Sequence, residues 1–276
     1  MLRQDQADQT LSRGDLALLG IPFDENSSFM RGSAEAPGRI RDALFSGASN
    51  LCTESGHDLS IDTRFHDAGD VHLSTPQSAF QNIEQAVTSL TEKGVHILAL
   101  GGDHSITYPV VKATARVHPP FSILHLDAHP DLYDEYDGNR YSHASPFARI
   151  MEEGLVQRLV QVGIRTANPH QREQAERFGV EIIEMKDWRP KMTFEFDGPL
   201  YVSLDMDVLD PAFAPGVSHH EPGGLSTRDV ITIIQSLNQP IIGAEIVEVN
   251  PRRDYEGITA MTAAKLAKEL AAKILH

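Results

Sequence analysis

The chain has 276 residues, 41% apolar and 23% charged, close to the averages of folded globular domains and unlike disordered chains. A net charge of −15 argues against nucleic acid or an anionic membrane surface as a partner. The single cysteine, Cys52, excludes an internal disulfide and a Cys-rich zinc site, so any bound metal must be held by His, Asp or Glu.

Along the chain, Met1 to Asp15 mixes Arg3 and Arg13 with Asp5, Asp8 and Asp15 and lacks the apolar core of a signal peptide. No apolar run reaches membrane-spanning length, so a cytoplasmic protein is expected. Short apolar runs at Leu16–Pro22, Phe65–Val71, Val95–Leu100, Phe121–Leu126, Leu159–Gly163, Val180–Glu184, Leu200–Leu204 and Ile241–Val249 read as strands. Several are apolar almost throughout, the pattern of strands buried on both faces. Between them, Pro76–Lys93 places Phe80, Ile83, Val87 and Leu90 at helical spacing. Thr227–Leu237 follows a Ser226 cap, and Ile258–Ile274 carries a stripe of Met261, Leu266, Leu270 and Ile274. Strands alternating with helices predict an α/β fold with a mostly parallel sheet covered on both faces. With no linker or internal repeat, residues 1–276 read as one domain.

In such sheets ligands bind beyond the carboxyl ends of the strands. Three of those ends are acidic and His-rich: Gly101-Gly102-Asp103-His104-Ser105, Asp127-Ala128-His129-Pro130-Asp131 and Asp205-Met206-Asp207. Residues two apart on a continuing strand share a face, so Asp127, His129 and Asp131 can converge, as can Asp205 and Asp207. Alone, an Asp-x-Asp is an ordinary loop cap and a Gly-Gly-Asp-His an ordinary turn. Acids and imidazoles at three strand ends, each behind an apolar run, are a different matter, because uncompensated acids there would repel one another. Mixed O/N ligation suits Mn²⁺ or a similar ion, and bridging carboxylates make room for two.

These signatures resemble those of the ureohydrolase (arginase/agmatinase) family. Gly138 to Ser145, Asp210 to His219, Glu221 to Ser226 and the Glu248-Val249-Asn250-Pro251 tail look most like plant-type arginases, and the likeness runs from Leu16 onward. The resemblance implies a three-layer α/β/α sandwich, two Mn²⁺ ions and a homo-oligomer, trimer or hexamer. It implies that His104, Asp127, Asp131 and Asp205 hold one ion and that His129, Asp127, Asp205 and Asp207 hold the other. It further gives Asp131 a part in moving a proton, His143 the role of proton shuttle and Glu248 that of guanidinium holder. Taken alone, His143 would read as a polar loop histidine. Glu245 rivals Glu248, but positions three apart in a strand face opposite sides, and the Glu-Val-Asn-Pro context selects Glu248.

The implied reaction is release of urea from a small cationic guanidino substrate, L-arginine first, with agmatine and then guanidinobutyrate as alternatives. Val162-Gly163-Ile164-Arg165 runs into Thr166-Ala167-Asn168-Pro169 with no carboxylate before Glu173, so the α-amino group lacks an acidic reader there. Asn139 and Ser142 are the expected contacts for the amino-acid end. A binuclear phosphoesterase would want clustered cations, and Arg140 and Arg165 are isolated. A silent metal-binding scaffold is disfavoured because no ligand is missing. His57, His66, His72, His96 and His118 read as ordinary polar residues. His125 shares parity with Asp127 and His129 and could support them from below; His219 and His220 either line the substrate entrance or sit in an ordinary loop.

Overall fold

A computed structural model describes residues 11–276; most of the N-terminal stretch read above for targeting, residues 1–10, lies outside them. The eight strands are β1 (Leu16–Gly20), β2 (Phe65–Asp70), β3 (His96–Leu100), β4 (Ser122–Leu126), β5 (Arg158–Ile164), β6 (Glu181–Glu184), β7 (Leu200–Asp205) and β8 (Ile241–Val247). They form one parallel sheet in the order β2-β1-β3-β8-β7-β4-β5-β6. Each expected run overlaps one strand, and β5 and β7 extend beyond theirs. The last stops early because Glu248 turns the chain out of the sheet with φ 64.

Helices α1 (Ala36–Leu44), α2 (Ala79–Thr91), α3 (Thr107–Ala115), α4 (Pro146–Glu152), α5 (Pro169–Phe178), α6 (Thr227–Ser236) and α7 (Ile258–Leu275) cover both faces. Period-two alternation within β1 divides the core: Leu16 and Leu18 join the layer under α1, α6 and α7, while Ala17 and Leu19 join the layer under α2, α3 and α4. The result is the three-layer α/β/α sandwich. Ser226 caps α6 as expected, accepting the Asp229 N–H while the Asp229 carboxylate accepts the Ser226 N–H. Four helices escaped the periodicity reading. Three of them carry a proline at the first or second helical position (Pro37, Pro146, Pro169), where its missing N–H costs nothing. The fourth, α3, is buried on most sides and shows no single stripe. Among the described residues, no helix is long and apolar enough to cross a membrane.

The middle four strands, β3-β8-β7-β4, bring the three signatures and Glu248 to adjacent positions on one edge. Gly102, just past β3, lies against the chain after β1, whose Phe23 carbonyl accepts the Asp103 N–H at 2.8 Å, while its own carbonyl accepts the Glu248 N–H at 2.9 Å. A Cβ at Gly102 would sit 1.9 Å from the Phe23 carbonyl oxygen, so backbone would have to move. Gly102→Ala is therefore expected to cost about 3 kcal/mol or more, the upper range for forced overpacking. A thermal melt within about 2 °C of the parent, a shift worth well under that cost, would contradict this packing.

Candidate functional site

Each of β3, β4 and β7 runs into an aspartate that folds back on its own chain. Asp103 Oδ1 accepts the Ser105 N–H at 3.0 Å, Asp127 Oδ1 accepts the His129 N–H at 2.6 Å, and Asp205 Oδ1 accepts the Asp207 N–H at 2.7 Å. A carboxylate closed on the amide two residues ahead is an Asx turn, which lets the chain leave the sheet in a fixed direction. The expected pleat alternation therefore does not operate. β4 stops at Leu126, Asp131 takes φ 49, and a 3₁₀ turn at Met206–Val208 follows β7. Turns, not a continuing strand, make the ligands converge.

Two groups result, sharing Asp127. His104 Nδ1 lies 3.1 Å from Asp127 Oδ2, 3.0 Å from Asp131 Oδ2 and 3.1 Å from Asp205 Oδ2. His129 Nδ1 lies 3.4 Å from Asp127 Oδ1 and 3.0 Å from Asp207 Oδ2. The His104 tautomer is set from behind: the Ser203 hydroxyl donates to Glu245 Oε1 at 2.7 Å, so His104 Nε2–H donates to Ser203 Oγ at 3.0 Å. The Nδ1 lone pair then faces three carboxylate oxygens and has no hydrogen-bond partner of its own. An acceptor aimed at acceptors in a buried site calls for a cation between them, and the donor set fits a divalent metal.

Burial, reinforced by Asp207 and Asp127, pushes the Asp205 carboxyl well above the usual carboxylate range. Burial also raises Asp127, but the imidazole of His125, hydrogen-bonded to it, outweighs this and holds that carboxyl well below the range. His125 Nε2 comes within 2.7 Å of Asp127 Oδ2, near enough to count among candidate ligands. Its other nitrogen argues for a different role. Gln161 Nε2 donates to the Pro130 carbonyl at 2.6 Å and to His125 Nδ1 at 3.0 Å, so His125 Nε2–H donates to Asp127 and fixes its orientation. Glu245 lies below the site with three hydroxyls, those of Thr107, Tyr201 and Ser203, donating to it.

Above the two groups opens a cavity of about 230 Å³, lined among others by His129, Asp131, Asp205, Asp207, His143 and Glu248. Glu248 reaches it because its left-handed backbone, costly for a non-glycine residue, swings the side chain over the sheet edge. Strand parity set the two glutamates on opposite sides and the sequence context selected Glu248, yet Glu248 lies outside the strand. Glu248 Oε1 accepts the His104 N–H and His143 Nδ1–H, each at 2.9 Å. Burial depresses His143, but the Glu248 carboxylate more than offsets this and holds it at about 9. Ser28, on the loop after β1, meets His143 Nε2 at 2.8 Å and lines the cavity. Sequence reading passed over Ser28; its one signal was a place just past another strand end on the same edge.

His219 lines the cavity, its ring 5.3 Å from that of His143. His220 does not, bonding instead to the Pro215 carbonyl and Arg253. Asn139 and Ser142 are not brought to the wall. The Asn139 amide donates to Asn26 Oδ1 and accepts the Tyr141 N–H, and it borders a neighbouring groove. Ser142 is buried, its hydroxyl accepting the Ala144 N–H. Tyr133 and Gln171 line the cavity and were not singled out from the sequence.

A profile of the arginase family matches residues 14–272. Arginase 1, mitochondrial, of Arabidopsis thaliana is 48% identical over 95% of this chain and 82% of its own length. Agmatinase of Bacillus subtilis is 34% identical over 93% of this chain and 90% of its own. The structure of arginase from Medicago truncatula superposes with a TM-score of 0.90 at 44% identity, covering 98% of this chain and 91% of that one. A metal that binds the folded chain alone must stabilise it. Chelation is expected to lower the melting temperature, and a divalent cation restored at about 100 times its Kd should return about 2.7 kcal/mol. Calorimetric melts with and without chelator read this, and coincident curves would remove the metal from the site.

Proposed function

The chain belongs to the arginase family, and we propose that it hydrolyses L-arginine to L-ornithine and urea with two Mn²⁺ ions. One observation carries the reading: two imidazole–carboxylate groups share Asp127 beneath a cavity that Glu248 and His143 also line. His104, Asp127, Asp131 and Asp205 would hold one ion, and His129, Asp127, Asp205 and Asp207 the other. Oxygen and imidazole donors without sulfur suit Mn²⁺. Two such ions supply the Lewis acidity that lets water attack a guanidinium carbon near neutral pH.

The chain's own groups do the rest. Glu248 Oε2 takes no hydrogen bond from the described residues, whereas Oε1 takes two. It is thus available to accept a guanidinium N–H and hold the planar group over the carboxylates. His143 is tied to Glu248 on one nitrogen and Ser28 on the other, holds its proton at neutral pH, and delivers it to the departing amine. Asp131 projects into the same cavity and can hold a proton in transit.

Agmatine is the second reading, favoured by the placement of Asn139 and Ser142 away from the cavity wall. The proposal includes a cytoplasmic location and assembly into a trimer or hexamer. The exposed Phe29, Met30, Tyr255 and Ile258 support assembly, because contact between copies would cover them.

Mn²⁺-loaded protein should release urea from L-arginine in preference to agmatine and 4-guanidinobutyrate, and no phosphate from a phosphomonoester. Urea chiefly from agmatine would transfer the assignment to the second reading. His143→Ala should reduce kcat by about 10²- to 10⁴-fold, the range for a lost general acid, with metal content per chain unchanged. Loss of metal from that variant would end the shuttle role.

A further inference from the structure

His143 is 7% exposed, and both of its ring nitrogens are engaged. Nδ1–H donates to Glu248 Oε1 at 2.9 Å, an oxygen that also takes the His104 N–H. The ring of His219 stands 5.3 Å away, inclined by 37°. The remaining nitrogen, Nε2, meets the Ser28 hydroxyl at 2.8 Å. Because His143 holds its proton at neutral pH, Nε2 is also an N–H, and Ser28 Oγ accepts it. The hydroxyl hydrogen of Ser28 then points elsewhere, and no acceptor among the described residues takes it. Ser28 itself is exposed and lines the cavity, so this hydroxyl joins a buried imidazole to open space.

Other groups hold the loop that carries Ser28. Asp24 Oδ2 accepts the Gly32 N–H at 2.7 Å and the Ala34 N–H at 3.3 Å, closing the loop on itself. Asp103 Oδ2 accepts the Asn26 N–H at 3.0 Å and the Ser27 hydroxyl at 3.3 Å. The Asn26 carbonyl accepts the His143 N–H at 3.2 Å, which joins the loops of Ser28 and His143 just before the serine. Just after it, the Met30 carbonyl accepts the Ser218 hydroxyl at 2.9 Å. These anchors set the serine over Nε2 without drawing on its hydroxyl. A hydroxyl spared from closing the loop, and able to accept and donate at once, is suited to passing a proton on.

We propose that Ser28 is a positioning residue that acts through His143: its hydroxyl is the passage by which the Nε2 proton leaves and re-enters the ring. The inference rests on the guanidino-hydrolase reading above and adds the route that its proton shuttle needs. Glu248 cannot be that route while it holds a guanidinium. In the outward step the Nε2–H bond breaks as its proton joins Oγ, and the proton already on Oγ passes to the lone pair of the departing amine. Serine is neutral before and after, imidazolium becomes imidazole, and the amine leaves as an ammonium. The reverse transfer, from solvent across the exposed hydroxyl, reloads the ring for the next turnover.

The experiment compares Ser28→Val with Ser28→Thr in the Mn²⁺-loaded protein, two side chains of nearly equal shape of which only threonine keeps the hydroxyl. Ser28→Val should lower kcat for urea release about 10²-fold, the lower end of what a general acid supplies. KM should stay within about twofold, because the proton moves only in the transition state. Ser28→Thr should recover most of that loss. In a His143→Ala background Ser28→Val should cost nothing further, since both substitutions cut one path. Exchange of the His143 Nε2 proton with water, followed by ¹⁵N NMR, is a readout independent of turnover and should be slower in Ser28→Val than in Ser28→Thr. Equal kcat in the valine and threonine variants, equal exchange rates, or a valine loss that persists in full without His143 would overturn the assignment. A parent that releases no urea from any guanidino substrate defeats the hydrolase reading instead, while the exchange comparison still judges Ser28.

Discussion

Four buried carboxylates at the centre of one sheet edge, Asp127, Asp131, Asp205 and Asp207, repel one another, and the structure around them is arranged to tolerate that repulsion. Two imidazoles interleave with the acids, with His104 Nδ1 close to three of them and His129 Nδ1 close to two. That arrangement offsets only part of the charge. The His104 tautomer imposed by Ser203 and Glu245 directs a lone pair, not a proton, at the acids. A site built this way has a deficit of positive charge that a divalent cation removes. The fold supports the site at a cost to itself and recovers stability when the metal binds.

The Asx turns explain how rigid strands deliver such a cluster. A pleated strand projects alternate side chains perpendicular to the sheet, which would scatter ligands above and below it. At Asp103, Asp127 and Asp205 the carboxylate instead captures the amide two residues ahead. The turn starts at the last strand residue or just beyond it. Because β3, β8, β7 and β4 are adjacent and parallel, these turns and Glu248 emerge side by side. Aspartate at these three places is thus structural and electrostatic at once: one oxygen builds the turn while the other, in Asp127 and Asp205, faces the metal position.

Sequence reading recovered all eight strands; the six inner ones were legible because burial on both faces leaves a short, nearly continuous apolar run, whereas the edge strands β2 and β6 are only partly buried. It recovered helices with one exposed face and missed α1, α4 and α5, whose leading prolines read as breakers, and α3, which is buried nearly all round. The ligand residues were legible because acids behind apolar runs are chemically conspicuous. The stated reason for their convergence was wrong in geometry, since a carboxylate bonded to a backbone amide leaves no trace in hydrophobic periodicity. Glu248 was selected by its context, while the geometry that aims it, a left-handed residue past the strand end, was equally invisible.

Ser28 and Gln171 mark where a single sequence stops informing. Both are small or neutral polar residues in loops or first turns, indistinguishable by type from dozens that only face water. What sets Gln171 apart is a relation between atoms: an amide buried on the wall of a cavity, with its oxygen deprived of any donor. Such a deficit appears only once every neighbour's hydrogen bonds have been traced. The same reasoning identified the metal position through His104 Nδ1. At His104 the folded chain leaves an acceptor facing three carboxylate oxygens, a place in want of a cation. The metal position in this fold is therefore read from unmet bonding demand, with the sheet edge serving to hold the ligands at fixed distances.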